Sequence, residues 1–191
     1  APIGEDRSMA RVNTKQLITE AAVLVAAQHG ISGASMDLIA ETAGVAKGSL
    51  YYNFTSKDAL FEEVIRGGFE KLATAIDAAR EDPAFTPETG PRRVAAATLE
   101  TLRSNLDLAK LMASEIFRTD RAWADTMELA RASVVVRYRD VLRESRGGDP
   151  AITETAGAAF FGALAGACLD WLLFRPDQPV DAVLDQILAL R

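Results

Sequence analysis

Cysteine and histidine are nearly missing from the 191-residue sequence, with Cys168 and His29 the only ones present. A lone thiol forms no internal disulfide, and one thiol with one imidazole makes no metal-ligand cluster. Disulfide scaffolds, zinc fingers and His-dependent catalytic triads are therefore excluded. No nucleophile–base pair or phosphate-binding glycine loop is present either, so no enzymatic activity, catalytic residue, metal or cofactor is expected. The opening residues carry no basic stretch followed by an apolar run and a cleavage site, and a reducing cytoplasm is the expected compartment. Long hydrophobic runs are confined to one, residues 156–174, which Asp170 interrupts. It reads as a helix packed in protein, and no membrane partner is expected.

What is present is a chain 49% hydrophobic and 25% charged, with formal net charge -6, long enough for a sizeable core. The charge is unevenly spread. Residues 1–57 hold five basic and five acidic side chains, leaving 16 of the 21 basic and 22 of the 27 acidic ones in residues 58–191. The amino-terminal part is thus neutral within an acidic protein, which gives slight support to a nucleic-acid-facing surface there.

Apolar residues recur three or four apart throughout, and no strictly alternating Val/Ile/Thr segment occurs, so the chain reads as all-α. A first helix is expected from Asn13 or Thr14, with Asn13 and Gln16 in capping-box spacing, ending at Gly30 with His29 in its last turn. Ser35 caps a short helix that Gly44 breaks, and a second short helix runs from about Ala46 to Tyr52. A long helix begins after Phe54, with Thr55 and Asp58 in capping-box spacing, and stops before Pro83. It contains Gly67-Gly68, a close packing contact or a yielding point. Beyond a loop at 81–91, helices are expected near 92–106, 107–118, 121–146, 150–174 and 180–190.

Residues 35–58, SMDLIAETAGVAKGSLYYNFTSKD, carry most of the functional information. A helix-turn-helix needs a small residue where its helices cross, a residue tolerant of positive φ at the turn, and an apolar pin on the second helix. Ala40, Gly44 and Leu50 supply these at offsets of four and ten. A second helix starting near Ala46 would present Lys47, Gly48, Ser49 and Tyr51 to a major groove and turn Leu50 inward. Gly48 allows close backbone approach. Tyr51 and Tyr52 suit thymine methyls or phosphates, although Tyr52 is equally suited to a partly buried position, and Phe54 reads as core. Ser35 and Lys57 lie at helix starts that favour phosphate. Arg7, Arg11 and Lys15 form a basic arm able to follow the backbone or enter the minor groove. Arg11 and Lys57 have the competing reading of ordinary solvated charges.

The run Ala-Lys-Gly-Ser-Leu-Tyr-Tyr-Asn-Phe, followed by Thr-Ser-Lys-Asp-Ala-Leu, resembles the signature of the TetR family of bacterial transcriptional regulators. The resemblance covers roughly residues 13–66. Asn53 departs from it, since many members carry histidine or a second aromatic there, so no base preference transfers to that DNA-facing position. The resemblance implies a DNA-binding domain over residues 1–57 and an effector-binding and dimerisation domain over 58–191. It also implies a homodimer formed largely by the last two helices and an enclosed ligand pocket.

Independent features agree with the dimer. Ala158, Gly162 and Gly166 are four apart, a small-residue face that admits another helix closely, and Leu184, Ile187 and Leu188 extend it. The set Leu102, Leu106, Met112, Phe117, Trp123, Met127, Phe160, Leu164 and Trp171 suits a small hydrophobic effector, although each residue also reads as plain core. Asn105, Glu115, Arg131, Tyr138 and Asp170 are polar groups placed to orient such a ligand, with Asp170 expected to pair with Arg137 or Arg139 across the interface. With the resemblance, the expected function is a ligand-responsive repressor that binds a palindromic DNA operator as a dimer and is released by effector. The alternative is a helical small-molecule-binding protein that does not touch DNA.

Overall fold

In the computed structural model, residues 4–115, 118 and 121–189 are described, with side chains from residue 14 onward. Nine α-helices and no strands occur among the described residues. They are α1 (Gly4–Gly33), α2 (Met36–Ala43), α3 (Lys47–Asn53), α4 (Lys57–Glu81), α5 (Gly90–Ser104), α6 (Leu106–Glu115), α7 (Ala124–Ser145), α8 (Glu154–Phe174) and α9 (Val180–Ala189). Two expected caps are replaced. α1 starts well before Asn13, and Gln16 bonds Glu20 along the helix instead of capping. The α4 start is capped by Ser56, whose Oγ accepts from the Ala59 amide at 3.1 Å, and not by Thr55. α1 bends at Gly30, where φ is +68°, and adds one more turn before α2.

The chain divides into two compact units, one ending at Gly68 and including Asp107–Met127, the other formed by Phe69–Leu106 and the residues from Glu128 onward. In the first, Ile18, Ala22 and Val25 of α1 are buried together with Ile39 and Ala40 of α2, Leu50 of α3, Phe54, and Leu60, Phe61 and Ile65 of α4. The small Ala40 lies at 2% exposure where α2 meets its neighbours. Gly44 takes the left-handed conformation at φ +66°, and its amide bonds the end of α2, which turns the chain into α3. Trp123 packs on Phe61 with ring centroids 6.1 Å apart, and the Arg121 guanidinium lies 5.4 Å above the Trp123 ring while bonded to buried Glu115 at 3.0 Å. The buried Trp123 Nε1 has no acceptor among the described residues.

In the second unit the core is formed by Phe69, Leu72 and Ile76 of α4, Val94 and Leu99 of α5, Val134, Tyr138 and Val141 of α7, Leu164 and Cys168 of α8, and Leu184 and Ile187 of α9. Tyr138 is fully buried, stacks on Phe161 and meets Phe160 edge-on. The Thr98 hydroxyl donates to the Val94 carbonyl, so at the 2.8 Å contact between the two hydroxyls Tyr138 is the donor. This satisfies Tyr138 inside the core. Arg137 grips Asp77 through Nε and Nη2, and Arg92 joins Asp181 and Asp185, tying α7 to α4 and α5 to α9.

α8 is long and apolar enough to cross a membrane by length and composition alone. One stripe of it, Gly157, Phe161, Leu164, Cys168 and Trp171, is buried in this unit. The opposite side exposes Ala159, Gly162, Gly166 and Phe174.

Candidate nucleic-acid interface

The α2–α3 pair holds its pieces from both ends. The Ser35 Oγ accepts from the Leu38 amide at 3.1 Å and closes the first turn of α2. Leu50, with no exposed surface, pins α3 against the core, and Phe54 closes the far end at 4% exposure. Fixing Leu50 inward turns the rest of a seven-residue helix outward. Lys47, Gly48, Ser49, Tyr51 and Tyr52 are all exposed, the two tyrosines at 51% and 72%. Tyr52 is therefore on the surface and not in the core. A Cβ at Gly48 would meet nothing within 4 Å, so the surface is open there. Asn53 is half-buried and donates from Nδ2 to the Ser49 carbonyl at 2.8 Å.

The lysines described on this side of the unit are engaged. Lys47 Nζ lies 2.6 Å from Asp37 Oδ2, both side chains well exposed. The hydrogen bond and charge of Asp37 hold the lysine above its ordinary pKa. Lys57 donates to the carbonyls of Ile31 and Ser32 at 3.0 and 3.2 Å, closing the last turn of α1. An ammonium has three N–H groups, so one remains for a phosphate. Lys15 pairs with Glu63 at 2.5 Å and lies over the Phe54 ring. Partial burial pushes the Glu63 carboxyl up, but its hydrogen bonds and charge interactions with Arg66 and Lys15 outweigh this and hold it below the ordinary carboxylate range. The side chains of Arg7 and Arg11 lie outside the described residues. Asp37 has no counterpart in the sequence reading, because its relation to Lys47 is made across a turn and follows no helical period.

The described effector candidates are distributed over both units. Trp171 borders a cavity of about 250 Å³ between α8 and α9, with Ala163, Ala167, Arg175, Gln178, Val183, Gln186 and Ile187. Its indole N–H is already bonded to the Gln178 carbonyl at 2.8 Å. Leu102 and Leu164 lie in the core of the second unit, where Leu106 and Phe160 are half-buried. Met112, Trp123 and Met127 belong to the first unit, and Phe117 lies outside the described residues. Within the chain Asp170 pairs with Arg175, while Arg137 is held by Asp77 and Arg139 by Asp140 with Glu154. A partner five residues away is reached within the same chain at lower entropic cost.

Two short helices set by a left-handed glycine, the second with a pinned inner face and an open outer one, form a helix-turn-helix of the kind that seats a helix in the DNA major groove. Residues 18–64 match the family of bacterial regulatory proteins described as the tetR family. Over this segment the chain is similar to that family. It is 34% identical over 94 residues to the transcriptional repressor DhaR of Mycobacterium sp. strain GP1, covering 49% of this chain and 48% of that protein. It is also 34% identical over 110 residues to the transcriptional regulator RutR of Escherichia coli K12, covering 58% and 51%. The chain thus matches about half the length of these relatives. Among solved structures, a Clostridium perfringens protein described as a candidate fatty acid metabolism regulator is similar at TM-score 0.77 and 28% identity, over 90% of this chain and 94% of that one.

Proposed function

We propose that this chain is a ligand-responsive transcriptional regulator that binds a roughly palindromic operator as a homodimer in the bacterial cytoplasm. Repression relieved by a small hydrophobic effector is its mode of action. One observation carries the reading: α3 buries Leu50 completely while Lys47, Gly48, Ser49 and Tyr51 stand on its open side. Those four make the first contacts to base edges, with Ser35, Tyr52, Asn53, Lys57 and Arg11 positioning the backbone. Two-fold symmetry would set the two α3 helices about 34–36 Å apart on the duplex. The exposed small-residue side of α8, with α9 beside it, is the dimer surface in this account.

The apolar residues of the carboxy-terminal part receive the effector. The Trp123 indole, without an acceptor among the described residues, offers a donor for an acceptor on that molecule, and the likeness to a fatty acid metabolism regulator favours an apolar one. Displacement of α4 near Gly67-Gly68 is the coupling step. Salt dependence tests the DNA reading. A dimer neutralising about six phosphates loses affinity with a log–log slope near -5. Binding that ignores salt, or no binding to any duplex at low salt, leaves the reading without its basis.

A further inference from the structure

The structure assigns a second role to the recognition surface: the Lys47–Asp37 pair is a specificity-determining unit that reads one G·C base pair in each half-site and lowers affinity for arbitrary DNA. This rests on the DNA-binding reading above. Lys47 is the only lysine or arginine between Lys15 and Lys57. The other two lie on α1 and α4, Lys15 paired with Glu63 and Lys57 bonded to two α1 carbonyls, so Lys47 is the one cation on the exposed side of α2 and α3. Its ammonium does not stand alone there. It is held 2.6 Å from a carboxylate that is itself 60% exposed.

Two consequences follow from that geometry. A phosphate that meets this surface meets a neutral pair, and exchanging Asp37 for a phosphate oxygen leaves the carboxylate beside the DNA backbone. Non-specific attraction, which comes from free cations, is reduced. The edge of a G·C pair in the major groove offers what the pair needs: guanine O6 and N7 accept from Lys47, and the adjacent cytosine N4 donates to Asp37. An A·T pair offers the lysine one acceptor, adenine N7, beside the adenine N6 donor for the carboxylate, one hydrogen bond fewer than the G·C edge supplies. Donor and acceptor held side by side therefore favour a G·C pair and oppose the phosphates.

The test is selection from a random duplex pool by the parent, Asp37→Asn and Lys47→Gln, with Glu41→Gln as a control that removes an exposed α2 charge outside the pair. The parent is expected to enrich a motif with a G·C position in each half-site, favoured over A·T by about tenfold to a hundredfold. In Asp37→Asn that preference falls to within about threefold, while affinity for random-sequence duplex rises on the order of tenfold for a dimer that loses two carboxylates. Lys47→Gln loses the same position, and Glu41→Gln keeps it. Since Lys47→Gln leaves the α2 start untouched, it still decides the matter if Asp37→Asn melts early. A motif unchanged in the folded pair variants overturns this inference and leaves the DNA reading standing. A parent that enriches no motif overturns both.

Discussion

Gly68 of α4 and Met112 of α6 meet so closely that a Cβ on the glycine would lie 2.5 Å from the methionine Sδ. The neighbouring Gly67 has nothing within 4 Å of the same construction. The adjacent glycines therefore have different roles: one admits a side chain from α6, and the other leaves a helix position unfilled.

Their alanine variants should separate. Gly67→Ala is expected to raise stability by about 0.5–1 kcal/mol, the helix gain of alanine over glycine. Gly68→Ala gains the same term but forces Met112 to another rotamer, at a cost of about 1–3 kcal/mol. Gly68→Ala combined with Met112→Ala removes the clash. Thermal melts of the three variants check the order, and equal melting temperatures for the two single variants would contradict it.

Gly157 sits more tightly still, because its added Cβ would lie 2.4 Å from the Val135 carbonyl oxygen and 2.9 Å from the Arg139 amide nitrogen. Backbone cannot turn aside as a methionine can. Gly157→Ala is expected to destabilise by about 3 kcal/mol or more, while Gly162→Ala and Gly166→Ala, with open space around them, leave the fold intact. If those two alanines act at all, the readout is dimerisation, measured by sedimentation.

Much of this was legible in the sequence, and the gaps have physical causes. Ser35, Gly44 and Leu50 could be placed because cap, left-handed turn and apolar pin are local requirements of single residues. The start of α4 was near its expected place, although Ser56 and not Thr55 supplies the cap, since neighbouring hydroxyls compete for the same amide. The close approach of α8 to α7 falls on Gly157, which no pattern singled out, because composition marks small residues and not the face they point to. The pairings of Asp37 with Lys47 and of Lys57 with α1 carbonyls join segments distant in sequence, and no periodic pattern encodes them.

Burial pushes the Cys168 thiol up to about 11. Thiol reagents should react with it at pH 7–8 only as fast as the chain opens, and at full rate in denaturant. Fast labelling of the folded protein would place the thiol on the surface.

The same shift sets a pH dependence. The folded pKa lies above the unfolded value, so its stabilising contribution is complete below about pH 9 and is lost as pH rises toward 11. Tyr138, raised above its ordinary value of 10.0 by burial against the opposing effect of its hydrogen bond with Thr98, adds to the loss from about pH 10 upward. Glu63, held below 4.5, contributes stability above that pH that declines as pH falls further. Denaturant midpoints across pH 3–11 should therefore drop at both ends, and a midpoint that rises between pH 9 and 11 would contradict the burial of these two groups.

The central claim is that the outer side of α3 reads DNA. Selection of the purified protein against a random duplex pool, beside a Lys47→Ala, Tyr51→Ala double variant, tests it most directly. The account predicts that the parent enriches a two-fold symmetric motif and that the folded variant does not. Enrichment of the same motif by both proteins, or of no motif by the parent at low salt with any co-purified ligand removed, would contradict it.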